Sequence, residues 1–330
     1  MSVNQPLRLG TRGSPLALWQ AHAVSSAIAA AGGPPCKVEI IKTSGDRLQE
    51  APLSEVGGKR LFVKEIEEAL ARREIDLAVH SSKDLPSVLP EGLAIGAVLP
   101  REDPHDAVVL PAPGAQPSAL LSVEDLVARL GQSPSIGTGS VRRVAQLTRL
   151  FPGARFTPIR GNLDTRLRKL DAGSYDALVL AAAGLRRLEF GGRISFTLPA
   201  ASCVPAPGQG IVAIEIRSGD TAIERVVAAI NDADAGDALV AERALVEALG
   251  GGCQTPVGAL ASVADRGTIE LVAAVVAVDG SRAIRAVGRG PRADGAALGA
   301  RVAAQLLADG AGEILADARA RQAAVEGMQP

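Results

Sequence analysis

The chain has 330 residues, 47% of them hydrophobic and 22% charged, with a net charge of −1. Those totals describe an ordinary globular protein of two or three domains and argue against a polycationic nucleic-acid binder. Cys36, Cys203 and Cys253 lie far apart without metal-ligand spacing, which argues against a disulfide framework or a zinc site, and no apolar run approaches the ~20 residues of a membrane span. One Trp, one Tyr and five Phe are too few for a base-stacking surface. Arginine outnumbers lysine 29 to 6, so any functional argument must rest on where the arginines stand.

Residues 7–10 read as a short strand running into Thr11-Arg12-Gly13-Ser14-Pro15. Ser14 can cap a helix whose first turn accepts Pro15, because that turn's N–H groups have no helical partner. Ala17, Ala21, Val24, Ile28 and Ala31 recur three and four apart before Gly32-Gly33 stops the helix. A strand at 38–42 ends in Thr43-Ser44-Gly45-Asp46, and the loop Gly57-Gly58-Lys59-Arg60-Leu61-Phe62 precedes a helix with Phe62, Ile66 and Leu70 on one face. Residues 76–80 form an apolar strand that opens into Ser81-Ser82-Lys83-Asp84-Leu85-Pro86. Alone, Lys83 and Asp84 would read as an exposed charged turn. Ligands of open α/β sheets sit at strand carboxyl ends, however, and polar strand ends recur along this chain.

After a strand at 94–99, residues 101–106 read as a connector, and a second series starts at 108–110. The proline-rich stretch 111–118 carries no evident chemistry, and Ser122-Val123-Glu124-Asp125 has the form of a capping box. In Ile136-Gly137-Thr138-Gly139-Ser140-Val141-Arg142-Arg143 a strand, a glycine turn and a helix start adjoin. Free N–H groups, the helix dipole and two arginines converge there on an anion site. Strand ends at 157–160 and 175–181 lead to Arg160 and Arg166 and to Arg186-Arg187. Arginines at three consecutive strand ends predict one cleft lined with guanidiniums, whose planar fork matches carboxylates and phosphates.

Residues 198–207 form a second connector, followed by Gly208-Gln209-Gly210 and a strand at 211–216. Two connectors around roughly ninety residues imply that the chain leaves one domain, builds another and returns. The expected division is 1–100 with 200–217, 105–196, and 220–330. The last part reads as two helices to 249, antiparallel strands to 287 with an Asp279-Gly280 turn, and two final helices, a smaller α+β unit beside two α/β units. Between its second helix and first strand lies Gly250-Gly251-Gly252-Cys253. The glycines stop the helix and clear the space around one sulfur, although a helix cap followed by a small buried thiol would leave the same signature.

Taken in order, the following motifs resemble the porphobilinogen deaminase (hydroxymethylbilane synthase) family over nearly the whole chain. They are Arg12-Gly13-Ser14-Pro15-Leu16-Ala17, Thr43-Ser44-Gly45-Asp46, Val79-His80-Ser81-Ser82-Lys83-Asp84, Gly137-Thr138-Gly139-Ser140-Val141-Arg142-Arg143, Arg160-Gly161-Asn162, Thr165-Arg166-Leu167, Pro207-Gly208-Gln209-Gly210 and Gly251-Gly252-Cys253-Gln254. The resemblance implies two periplasmic-binding-protein-like domains around a cleft and a third that carries a dipyrromethane as a thioether on Cys253. Four porphobilinogens would join this primer with loss of ammonia, and hydrolysis would release the linear tetrapyrrole. The resemblance makes Asp84 catalytic. It assigns Lys83, Arg142, Arg143, Ser140, Asp46, Lys59 and Phe62 to the cofactor, and Arg12, Ser14, Arg160, Arg166 and Arg187 to the substrate. Arg60 departs from the family's usual small residue, and the choice between Arg186 and Arg187 stays open.

The residues agree for a separate reason. Each porphobilinogen brings two carboxylates, and an unpaired buried carboxylate is expensive, so an arginine-lined cleft is what such a ligand needs. A non-catalytic anion-binding protein on the same scaffold would also use the arginines, but it would leave Cys253 and the third unit without a role. The expectation is therefore a cytoplasmic monomer acting on a small molecule, with no metal, nucleic acid or membrane partner.

Overall fold

The computed structural model describes residues 6–47, 63–112, 120–251 and 255–327. The first lobe begins with β1 (Leu7–Thr11), α1 (Pro15–Ala30), β2 (Cys36–Ile40), a single turn α2 (Ser44–Arg47), α3 (Lys64–Ala71), β3 (Leu77–Ser81) and β4 (Leu93–Val98). Ser14 caps α1 by accepting the Ala17 N–H, and the helix buries Ala17, Ala21, Val24 and Ile28 on the face its spacing predicts. Gln20 is the polar exception on that face, and its Nε2 donates to Ser81 Oγ at 2.8 Å. A buried amide satisfied in this way ties α1 to the end of β3.

The second lobe contains β5 (Asp106–Val109), α4 (Val123–Leu130), β6 (Ser135–Gly137), α5 (Val141–Thr148), β7 (Arg155–Thr157), α6 (Leu163–Asp171), β8 (Ala177–Ala181), α7 (Ala182–Arg187) and β9 (Phe196–Leu198). The chain then returns to the first lobe as β10 (Val212–Arg217). The two sheets have matching orders, β2-β1-β3-β10-β4 and β7-β6-β8-β5-β9. In each, three parallel strands are followed by a fourth that runs antiparallel. That fourth strand is in both cases the one delivered by a connector.

Next come α8 (Thr221–Ala228), α9 (Ala233–Ala248), β11 (Val257–Asp265), β12 (Thr268–Val276), β13 (Ala283–Pro291), α10 (Gly295–Ala308) and α11 (Ala311–Gly327). The antiparallel sheet β11-β12-β13 shares a core with α9, α10 and α11 through Leu245, Leu271, Val302 and Leu315. Although α8 was expected in the third unit, Ile223 and Val227 join the core of the first lobe. It follows β10 after a short turn and folds back over that sheet. Two α/β lobes with a smaller α+β unit are thus the fold class that the sequence predicted.

The three units meet at the connectors. Glu242 of α9 is fully buried, with Oε1 accepting Arg101 Nη1 at 2.6 Å and the Ala261 N–H at 2.7 Å, and Oε2 accepting the Gly208 N–H at 2.5 Å. At the far end of α5, Arg149 Nη1 donates to Gly280 O at 2.8 Å, joining the second lobe to a hairpin tip of the third unit. Among the described residues no helix is long and apolar enough to cross a membrane.

Candidate active site

The described residues nominated from the sequence follow the carboxyl ends of the parallel strands. Arg12 and Ser14 follow β1, Asp46 follows β2, and Lys83 and Asp84 follow β3. Across the cleft, Ser140, Arg142 and Arg143 follow β6, Arg160 and then Arg166 follow β7, and Arg187 follows β8. Arg187 is buried, whereas Arg186 reaches Asp103 Oδ2 at 3.2 Å on the surface. Lys59, Arg60, Phe62 and Cys253 lie outside the described residues.

Asp84 is exposed at the end of a one-turn 3₁₀ segment and opens on about 400 Å³ of space shared with Arg12, Ser14, Gln20 and His80. Asp46, the other acid at a strand end, is already engaged. Its Oδ1 accepts Arg12 Nη2 at 2.5 Å and its Oδ2 accepts Thr43 Oγ1 at 2.8 Å. Burial pushes the Asp46 carboxyl up, but Arg12 and Thr43 outweigh it and hold the group below its ordinary range. Such a carboxylate is a counter-ion and a poor proton donor near neutral pH. Opposite, burial and then the charges of Arg143 and Arg160 bring Arg166 down to about 10, with Asp84 as the opposing influence. Burial and Arg143 likewise bring Lys83 down to about 8. Cations crowd this cleft.

Arg142 and Arg143 stand at the α5 N-terminus as expected, but the anion they hold belongs to the chain. Asp106, fully buried at the start of β5, takes Arg142 Nη1 at 2.7 Å, Arg142 Nη2 at 3.1 Å and Arg143 Nε at 2.9 Å. Burial would raise this carboxyl; the two guanidiniums and the Gln209 amide hold it far below the usual range. Gln209 is the second residue that sequence reasoning missed. Its Nε2 donates to Pro104 O at 2.7 Å and Asp106 Oδ1 at 2.9 Å, while its Oε1 accepts Lys83 Nζ and Arg143 Nη2, each at 3.4 Å. The flanking glycines make this possible. Gly208 and Gly210 have φ of +71° and +89°, and a Cβ would stand 2.6 Å from Ser82 Oγ and 2.2 Å from Glu102 O. The one available signal for Asp106 was an acid opening an apolar strand, since a buried carboxylate needs a partner.

Asp106→Asn is expected to leave two buried guanidiniums without a counter-charge and to cost about 3–5 kcal/mol of stability. Urea unfolding checks this; a loss below about 1 kcal/mol would mean that other groups already balance the arginines.

A larger space of about 620 Å³ opens where the three units meet, lined by Lys83, Ser140, Arg142, Arg243 and Thr255 with Leu239 and Val257. Thr255 is the first described residue after Cys253. Ser82 Oγ, in the lining, and Arg142 Nε are buried polar atoms without a hydrogen-bond partner. Cationic and hydroxyl donors beside apolar walls fit a dipyrrole bearing acidic side chains. The two described cysteines fit attachment poorly. Cys36 is half-buried, with burial raising its thiol, and Cys203 is fully buried beside Asp106, its thiol pushed up to about 12 by burial and that carboxylate.

The family model described as porphobilinogen deaminase, dipyromethane cofactor binding domain, matches residues 7–225, and that of the porphobilinogen deaminase C-terminal domain matches 237–308. A porphobilinogen deaminase of Geobacter metallireducens is 45% identical over 322 residues, 97% of each chain. One of Acidithiobacillus ferrooxidans is 46% identical over 316 residues, covering 95% of this chain and 98% of the relative. Among solved structures, the periplasmic VFT2 domain of Bordetella pertussis BvgS aligns at 16% identity and a TM-score of 0.38, over 68% of this chain and 86% of that one. An ancestral cationic amino acid solute binding protein aligns at 15% and 0.41, over 67% and 86%. The strand orders above, not these two likenesses, carry the fold assignment.

Proposed function

The chain belongs to the porphobilinogen deaminase family, and on that premise we propose that Asp84 is its acid–base residue and that Arg12, Ser14, Arg160, Arg166 and Arg187 receive substrate carboxylates. The enzyme condenses four porphobilinogens head to tail with loss of ammonia and releases hydroxymethylbilane by hydrolysis. When bound, the dipyrromethane supplies the primer pyrrole to which the first substrate ring is joined. Cys253 would hold it as a thioether, and Lys83, Ser140, Arg142 and Arg143 would bind its acidic side chains, the two arginines through donors that Asp106 leaves open, such as Arg142 Nε. Asp46 would act through Arg12, and Lys59 and Phe62 are the family's candidates to cover it.

In this reading the Asp84 carboxyl gives a proton to the departing amine of porphobilinogen. The carboxylate that remains faces the cationic methylene-pyrrole and stabilises it. As the rings couple, the same carboxylate takes up the proton that leaves the ring carbon, so one group serves both halves and ends as it began. Asp46 is unsuited to this role because Arg12 and Thr43 already engage its two oxygens, whereas Asp84 opens on the cleft.

The observation that carries the proposal is the gathering of arginines from the second lobe around one exposed acid of the first. Burial and then the charges of Arg143 and Arg160 weigh on Arg166, with Asp84 opposing them. Such a cluster is stabilised by an incoming polyanion. Arg166→Leu is therefore expected to raise KM for porphobilinogen roughly tenfold or more, the scale of one charge-assisted hydrogen bond. An unchanged KM in that variant would remove Arg166 from the substrate site. The division that goes with this function is 1–100 with 200–217, 105–196 and 220–330, amended so that α8 belongs with the first lobe, whose core takes Ile223 and Val227. We also read the enzyme as a cytoplasmic monomer; the free thiols of Cys36 and Cys203 fit a reducing compartment.

A further inference from the structure

Trp19, the chain's one tryptophan, projects from α1 of the first lobe and keeps 39% of its surface exposed. The Arg187 guanidinium, on α7 of the second lobe, lies over its ring at 5.3 Å from the centroid. Leu16 and Gly184, each one turn earlier on its helix, also meet: a Cβ at 184 would stand 3.7 Å from Leu16 Cδ2. The two helices therefore touch across the mouth of the cleft. Arg187 is only 8% exposed, its Nη2 donates to Gly210 O at 2.7 Å, and its Nε is buried with no hydrogen-bond partner.

A guanidinium held by one hydrogen bond can still swing about it. An aromatic face under its plane removes that freedom and leaves the N–H donors, which lie in the plane, open to another ligand. We propose that Trp19 is a positioning residue for Arg187, holding its guanidinium across the cleft mouth so that the unpartnered Nε edge meets a carboxylate of the growing chain. This rests on the reading of Arg187 as a substrate ligand. It also gives the indole a task that a surface residue of an ordinary amphipathic helix does not have.

Steady-state kinetics with porphobilinogen test it, with cofactor content checked by intact mass. Trp19→Leu should raise KM roughly 3- to 30-fold, the range of a cation–π contact between exposed and desolvated limits, with kcat little changed. Trp19→Phe, which keeps a π-face, should restore most of the loss. Arg187→Gln should raise KM at least as much, and the double variant Trp19→Leu/Arg187→Gln should be no worse than Arg187→Gln alone. A wild-type KM in Trp19→Leu, or additive effects in the double variant, overturns the role of Trp19 while leaving that of Arg187 standing. A wild-type KM in Arg187→Gln overturns both. Independently of any variant, emission from the lone indole should shift when porphobilinogen is added, and emission that stays constant through turnover overturns the proposal.

Discussion

Cys253→Ala is expected to yield protein that carries no covalent pyrrole adduct and shows no turnover, the largest effect any single side chain should have here. The thiolate is the form that makes a thioether, so an attachment site needs a sulfur that can ionise or be activated and has room beside it. Cys203 fails on both counts, being fully buried with its thiol pushed up to about 12. Cys36 sits at the start of β2, at the strand's amino end, away from the ends where the arginines gather, and burial raises its thiol too. Val246 before Cys253 and Thr255 and Val257 after it line the roughly 620 Å³ space that Lys83, Arg142 and Arg243 also border. Intact mass decides the matter. Cys36→Ser and Cys203→Ser should keep the adduct, and finding it at normal mass on Cys253→Ala would place the attachment elsewhere.

Asp84→Asn keeps the shape of the side chain and removes its charge and proton. Turnover should fall by at least ~10²-fold, the low end of general acid–base contributions. The protein should still fold, because Asp84 is exposed and no core cluster includes it. The control is Asp46→Asn. Losing that carboxylate leaves Arg12 without its partner at 2.5 Å, so the control should weaken substrate binding more than it slows the chemistry. With cofactor content measured for both proteins, near-normal turnover in Asp84→Asn together with collapse in Asp46→Asn would reverse the assignment.

The parts of this site that were legible in the sequence are those written locally. Glycine and proline punctuation marks strand ends, and Ser14, Ser122 and Ser140 mark helix starts, where each accepts the expected backbone N–H. The nominated cations therefore gather where the strands predicted. The partners of the buried and half-buried cations, nominated or not, were not legible. Asp106 is 36 residues from Arg142, Glu242 is 141 from Arg101, and Gln209 is 126 from Lys83. No periodicity connects such pairs, and only the closing of the fold brings them together. The helix start at Arg142 read as an open anion site for the same reason, since nothing local announces an internal carboxylate. Nor does the spacing of α8 say which sheet its apolar stripe covers.

The crossing of the connectors has a consequence for synthesis. Every strand of the second lobe lies between Asp106 and Leu198, so its sheet can close as soon as that stretch has left the ribosome. The first lobe, although translated earlier, has no strand between β3 and β4 until β10 arrives. Its buried acid Glu215 and its core residues Val212, Ile214 and Ile216 come with that late strand. The amino-terminal half of the enzyme must therefore wait, incomplete, while the segment after it folds. Nascent chains stalled with residue 200 emerged should resist protease across 106–198 and remain cleavable in 6–100, a vectorial order opposite to that of the genetic message.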